Sequence, residues 1–256
     1  MGTASRLKVL VAQSITAPWI GRVVRLIYGD AIPFHGARIA SRSPFVSPVV
    51  SAKLFWGIYE GAERRFVQKY LSPDLPVIEL GSSIGGISSH IARKLSAGQR
   101  LICVEANPHL IPVLERNLGQ NGAHLAWQVM HAAIATDPGE VSFSVSASSL
   151  SSSVAVRSDA VETISAPARR LTDVLADTDV SEFQLVMDIE GAEAGIVRAD
   201  VISLDRCRRI IAELHRTDYD GAVVTVDELI GSFQDAGFDV RDQHGPVVVF
   251  ERREGA

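Results

Sequence analysis

The chain has 256 residues, 46 % apolar and 21 % charged, with a net charge of −5. This is the composition of a globular protein with one large α/β domain, alone or with a small appendage, and it gives no overall basic field to hold nucleic acid. Cys103 and Cys207 both lie in apolar runs without zinc-type spacing, so they read as buried thiols of a reducing compartment, the cytoplasm.

Residues 7–28 are fairly apolar, but Lys8, Gln13, Pro18, Arg22 and Arg25 interrupt them, which excludes a transmembrane segment. Basic residues continue past the apolar part and no cleavage site follows, so a signal peptide is not expected. Residues 6–28 read as one or two helices broken near Pro18, packed on the domain or, less in keeping with the pattern, on a membrane surface. Residues 29–52 carry Gly29, Pro33, Gly36, Pro44 and Pro48 and read as irregular or extended. Leu54, Ile58, Ala62, Phe66 and Tyr70 recur every four residues, which predicts a helix over 52–71 ended by Ser72-Pro73. Residues 1–72 thus form an N-terminal helical extension, and Tyr59, Glu60 and Glu63 in it are candidates for a substrate wall.

Residues 73–256 form the main domain. Val77, Ile78 and Leu80 are a short run suited to a strand buried on both faces. Gly81, Gly85 and Gly86 end it, and Ile87, Ile91 and Leu95 then fall on one helical face. Strand, glycine turn and helix set a helix N-terminus beside a ligand. A dinucleotide fingerprint needs glycine where Ser83 stands, and the carboxylate of Glu79 would repel a pyrophosphate. The same carboxylate suits a ligand carrying an ammonium and a sulfonium, so the turn reads as a site for S-adenosylmethionine (SAM). The strand 100–105 ends in Glu105, placed to accept hydrogen bonds from ribose hydroxyls or to charge the N-terminus of helix 108–118.

A third strand spans 127–134. A hairpin follows over 140–157, with a serine-rich tip at 146–153 that is either a connector or a loop closing over the ligand. Helix 171–177, strand 183–189, helix 192–199, strand 208–214, helix 226–236 and a closing hairpin of 238–240 with 247–251 complete the chain. Strands alternating with helices predict a doubly wound, mostly parallel, seven-stranded sheet with one antiparallel edge strand. Glu79, Glu105, His131, Asp188, Glu190, Glu213 and His215 all fall at or near strand carboxyl ends, where ligands sit in such sheets.

Val77-Ile78-Glu79-Leu80-Gly81-Ser82-Ser83-Ile84-Gly85, Val104-Glu105-Ala106-Asn107-Pro108 and Asp188-Ile189-Glu190-Gly191-Ala192-Glu193 resemble the FkbM-type methyltransferases, as do Tyr59-Glu60 and Glu213-Leu214-His215. The resemblance covers residues 54–215. The first motif often opens with Asp in that family, and here Glu79 stands there. The resemblance implies a class I methyltransferase (Rossmann-like) fold, SAM as cofactor, and O-methyl transfer to a hydroxyl of a sugar, glycan or natural product. Glu79 and the backbone of Gly81, Ser83 and Gly85 would then hold the methionine moiety, and Glu105 with Ala106 the ribose. His131 and Ala132 would border the adenine. Asp188, Glu190 and His215 would be catalytic, with His215 the base, or Glu190 and Glu193 would only cap the following helix. Asp188 would also bind the cofactor by orienting the SAM amine, or would orient the acceptor hydroxyl. Tyr59, Glu60, Glu193 and Glu213 would face the acceptor, a small molecule or glycan, in a chain compatible with a homodimer.

No metal is expected, because no compact ligand motif compels one. The alternatives are a divalent cation on Asp188, Glu213 and His215, serving a polyketide hydroxyl, and a non-catalytic binding module of the same fold. An NAD-dependent oxidoreductase is disfavoured by Ser83.

Overall fold

A computed structural model describes residues 14–146, 161–178 and 180–254. Ser14 and Ile15 are helical, and Pro18 then opens α1 (Pro18–Tyr28); the rest of the expected helical stretch, 6–13, lies outside the described residues. Two short strands, β1 (Ile32–Phe34) and β2 (Ala37–Ile39), pair as a hairpin in the segment expected to be irregular or extended. The helix expected over 52–71 is two helices, α2 (Pro48–Phe55) and α3 (Gly61–Tyr70). The four-residue apolar spacing runs through the gap, but Gly57 (φ +69°) and Glu60 (φ +41°) take left-handed backbone that no helix continues through.

The sheet contains β3 (Val77–Leu80), β4 (Arg100–Glu105), β5 (Ala126–His131), β9 (Phe183–Met187), β10 (Cys207–Glu213), β13 (Phe238–His244) and β14 (Val247–Arg252) in the order β13-β14-β10-β9-β3-β4-β5. β3, β4, β5, β9 and β10 are parallel, and β14 runs antiparallel to both neighbours. The seven strands and the doubly wound class follow the sequence reading, but the antiparallel strand is one place in from the edge. Burial explains the difference: Val247–Phe250 are all buried and need a neighbour on each side, whereas β13 keeps most residues exposed and suits the rim.

Side chains alternate to two apolar layers. Ile78, Leu80, Ile102, Val104, Leu185 and Met187 face α6 (Leu171–Thr178), α7 (Glu193–Ala199) and α8 (Val226–Asp235). Val77, Leu101, Cys103 and Val186 face α3, α4 (Gly86–Lys94) and α5 (Ile111–Asn121). A third cluster joins β1, β2 and α2 to Ile84, Leu110 and Val113 beside the glycine turn. Asn117 fastens it: its Oδ1 accepts from the Ala40 N–H (2.6 Å), and its Nδ2 donates to the carbonyls of Ala40 (2.9 Å) and Ile84 (2.7 Å).

The third strand ends at His131, earlier than expected. The chain then leaves the main sheet, and β6 (Ala133–Ile134) joins β7 (Gly139–Ser146) and β8 (Val161–Arg169) in a separate three-stranded sheet. The expected return strand at 154–157 and the serine tip at 147–153 lie outside the described residues. A further small hairpin, β11 (Thr217–Tyr219) with β12 (Ala222–Val224), follows His215 and was not expected from sequence.

His90 on α4 is 2 % exposed and meets Phe34 edge-on at 4.9 Å. Burial, reinforced by Arg64, His35 and Arg93, lowers its pKa from 6.5 to about 4. It is therefore neutral in the fold and takes up a proton more readily once unfolded. Stability is present above pH 6.5 and is lost as pH falls toward 4. At pH 4.5 the loss should be about 2–3 kcal/mol. Denaturant melts at pH 7.5 and 4.5 check this: His90→Phe should lose less stability on acidification than the wild type, and equal losses would refute the assignment.

Candidate active site

The turn after β3 is built on close backbone contact. Gly81 (φ +81°) donates its N–H to the Val104 carbonyl (2.9 Å), and a Cβ on it would stand 1.9 Å from the Asp188 carbonyl oxygen. Asp188 in turn donates its N–H to the Leu80 carbonyl (3.0 Å). The ends of β3 and β9 are thus locked together where the strand order reverses, the usual place for a ligand in an open sheet.

A cavity of about 330 Å³ opens there. Gly81, Ser83, Glu105, Ala106, Ala132, Asp188, Glu190 and Glu60, all named from sequence, line it. Glu105 is buried at the tip of β4, and its carboxylate accepts the backbone N–H groups of Ser83 (2.6 Å) and Asn107 (2.7 Å). Burial raises its pKa, and these N–H groups oppose the rise. Each oxygen retains capacity for a further donor. Ser83 is held at φ +50° by this contact, so the residue that replaces the dinucleotide glycine is bound to the carboxylate at the next strand's end.

The other named residues lie elsewhere. Glu79 points into the layer beneath the turn, where its carboxylate accepts from the Ser88 hydroxyl and the Cys103 thiol (3.3 Å). Burial pushes its pKa up to about 7. It borders only a smaller neighbouring void, shared with Glu60, Glu63 and Asp188. Gly85 (φ +81°) caps α4 and packs on Leu114. His131 is exposed, with its ring on the Ala106 carbonyl (3.1 Å); the strand's alternation turns it away while Ala132 faces in. Tyr59 is buried under Gly86, off the main cavity. The cavity's aromatic lining is Phe45 and Phe143, neither foreseen. Phe45 stacks on His109 at 3.9 Å.

Behind Asp188 and Glu190 on the cavity wall, His215 gathers four carboxylates. Its Nδ1 donates to Glu193 Oε1 (3.0 Å), and its Nε2 lies 3.8 Å from Asp188, 3.6 Å from Glu190 and 3.9 Å from Glu213. Burial works against charge on the imidazole, but Glu193, Asp188 and Glu190 outweigh it and push the pKa to about 9. The ring is an imidazolium at neutral pH, not the free base expected from sequence. Asp188 is also raised, which for a carboxyl group favours the neutral form. Burial raises it to about 7, with Glu190, Glu193 and Glu63 adding to the rise and His215 opposing it. Its Oδ1 is buried and accepts no hydrogen bond in the structure.

These features fit SAM. An orphaned carboxylate oxygen, Glu60 and Glu190 beside it suit a cationic ligand, Glu105 suits a diol, and Gly81 leaves the turn without a side chain toward the cavity.

The chain is similar to several solved structures. A ribosomal protein L11 methylase from Lactobacillus delbrueckii subsp. bulgaricus is 11 % identical (TM-score 0.47, 77 % of this chain and 80 % of that one). A precorrin-6y C5,15-methyltransferase from Geobacter metallireducens is 13 % identical (TM-score 0.43, 75 % and 87 %). Fibrillarin from Aeropyrum pernix, solved with natively bound SAM, is 14 % identical (TM-score 0.44, 75 % and 74 %). No curated protein matches the chain. The methyltransferase FkbM domain model, in contrast, matches residues 80–240, from the end of β3 to the edge strand β13, and the chain belongs to that methyltransferase family.

Proposed function

We propose that this SAM-dependent methyltransferase transfers its methyl group to a hydroxyl oxygen of a sugar, a glycan or a related natural product. The observation that carries this reading is the carboxylate–imidazolium cluster at the cavity wall, in which Asp188 and Glu190 line the cavity and Glu193, Glu213 and His215 stand behind them. Such a set accepts and donates hydrogen bonds to several neighbouring hydroxyls, which an apolar acceptor would leave unmet. The net charge of −5 also favours a small uncharged acceptor over nucleic acid.

Bound SAM supplies an electrophilic methyl group. The chain's own part is to align the acceptor oxygen with that methyl and to take the oxygen's proton. Asp188 is the proposed acceptor of the proton, since it lines the cavity and its Oδ1 accepts no hydrogen bond from the described residues. His215, held by Glu193, is the proposed positive partner that stabilises the Asp188 carboxylate between turnovers. Glu60 and Glu190 would orient the acceptor, and Glu105 would hold the ribose.

Glu105→Ala removes the acceptor of two backbone N–H groups as well as the proposed ribose contact. SAM affinity measured by calorimetry should fall about 100-fold, since bonds to a charged group contribute roughly 1.5–3 kcal/mol each. Undiminished affinity in a folded variant would sink the ribose assignment.

A second reading has an observation of its own. Asp188, Glu190 and His215 each offer a ligand atom within 4.8 Å of the others, which a divalent cation can span. The sequence had grouped Glu213, not Glu190, with the other two. Radiolabelled methyl transfer to competing pools of glycosides and macrolide aglycones, with and without EDTA, separates the readings. The first expects labelled glycosides and no effect of EDTA. Activity lost to EDTA and restored by magnesium or manganese installs the cation, and label confined to the aglycones overturns the sugar acceptor.

A further inference from the structure

Among the described residues, none accounts for the outer face of α1 by packing. Its inner face is fully engaged: Val24 is buried, and Gly21 lies so close to α2 that a Cβ there would meet the Pro48 carbonyl oxygen at 1.7 Å. Arg25 is turned inward as well, donating to Ser51 Oγ (2.7 Å) and the Val46 carbonyl (2.6 Å). A helix docked this way should show water a polar face. Instead Trp19, Val23, Leu26 and Ile27 share one outward arc, with Trp19 64 %, Leu26 80 % and Ile27 68 % exposed. Trp56, 46 % exposed, extends the strip beyond the helix start, its indole N–H donating to the Ile15 carbonyl (2.7 Å).

The charge around this strip is the second observation. Among the described residues, 14–59 hold five lysines and arginines against one acidic residue, Asp30, in a chain whose net charge is −5. Arg22 flanks the apolar arc and Lys53 lies on the adjoining α2; both are exposed and make no ion pair among the described residues. A second copy of the chain on this face would set Arg22 and Lys53 near their own images, a like-charge arrangement. An apolar strip with tryptophan and a basic rim is instead complementary to a bilayer surface, where the rings enter the headgroup region and the cations meet anionic lipid.

We propose that α1, with Trp56, docks the protein on an anionic lipid surface, the helix lying in the plane of the interface. The cavity would then open near that surface, because Phe45 at its lining adjoins Val46, whose carbonyl is bound by Arg25 of the same helix. This inference does not depend on the acceptor proposed above.

Co-sedimentation of the full chain with vesicles tests it, using phosphatidylcholine alone and phosphatidylcholine with roughly one-third phosphatidylglycerol. The wild type should bind the anionic vesicles at least about tenfold more tightly than the neutral ones, with binding weakened by salt. The double variant Leu26→Asp/Ile27→Asp should lose about tenfold or more, and Arg22→Glu should lose a smaller factor. Both alter exposed positions, so the melting temperature and SAM affinity should stay unchanged. Three results overturn the proposal: no partition of the wild type onto anionic vesicles, equal binding to neutral ones, or a wild-type dimer that the double variant converts to monomer.

Discussion

Asp188→Asn should lower kcat by about 10²–10⁴-fold, the usual contribution of a placed proton acceptor. The substitution is nearly isosteric and leaves intact the backbone N–H to the Leu80 carbonyl, so the β3–β9 junction keeps its shape. What changes is the one carboxylate oxygen that is buried, unpartnered and on the cavity wall. An amide there can orient a hydroxyl but cannot take its proton. Turnover should therefore fall by far more than SAM affinity, which loses one of several carboxylates beside the cation. Single-turnover rates and calorimetry on the same preparation provide the check, and a variant with near-wild-type turnover would remove Asp188 from the chemistry.

Gly81→Ala should be among the most damaging single methyl additions to this chain. The new Cβ would meet the Asp188 carbonyl oxygen at 1.9 Å, and the residue already sits at φ +81°. Neither side can yield cheaply, because Gly81 is tied to Val104 and Asp188 to Leu80. The left-handed backbone costs about 1–2 kcal/mol for a non-glycine residue, and displacing packed backbone adds about 1–3. At about 2–4 °C per kcal/mol for a protein of this size, the melting temperature should fall by about 5–15 °C. Gly98→Ala is the control: its φ is +82°, but nothing lies within 4 Å of its added Cβ. It should show the backbone cost alone. Equal melting temperatures for the two variants would mean that the Asp188 contact is soft.

The site's frame was legible because it rests on short-range signals. Val77, Ile78 and Leu80 form a short apolar run, glycine stops it, and Glu105 and Asp188 stand where buried strands end. Those signals give a strand's end but not a side chain's aim. Glu79 and His131 also lie at strand ends, yet alternation sends one into the layer beneath and the other to solvent. The protonation of His215 was hidden for a similar reason. Its partner Glu193 is 22 residues away in sequence and is brought in only when β10 lies beside β9. Phe45 carried no periodic signal at all, coming from a proline-broken segment held in place by Arg25 and Asn117. The place of β14 could have been read from Val247 to Phe250, an apolar run too continuous for an edge.

The strand order bears on how the chain is made. β3 has two parallel neighbours: β4 follows directly, but β9 begins at Phe183, long after β3 ends at Leu80. A chain emerging from the ribosome can assemble β3, β4 and β5 early. The far flank of β3, apolar on both faces, then stays an open edge until β9 has been synthesised. Pairing across so long an interval is slow, since a large loop must close before any contact rewards it. The junction that brings Gly81 to Asp188 is therefore completed late, and the nascent half-sheet is the species most exposed to aggregation during expression.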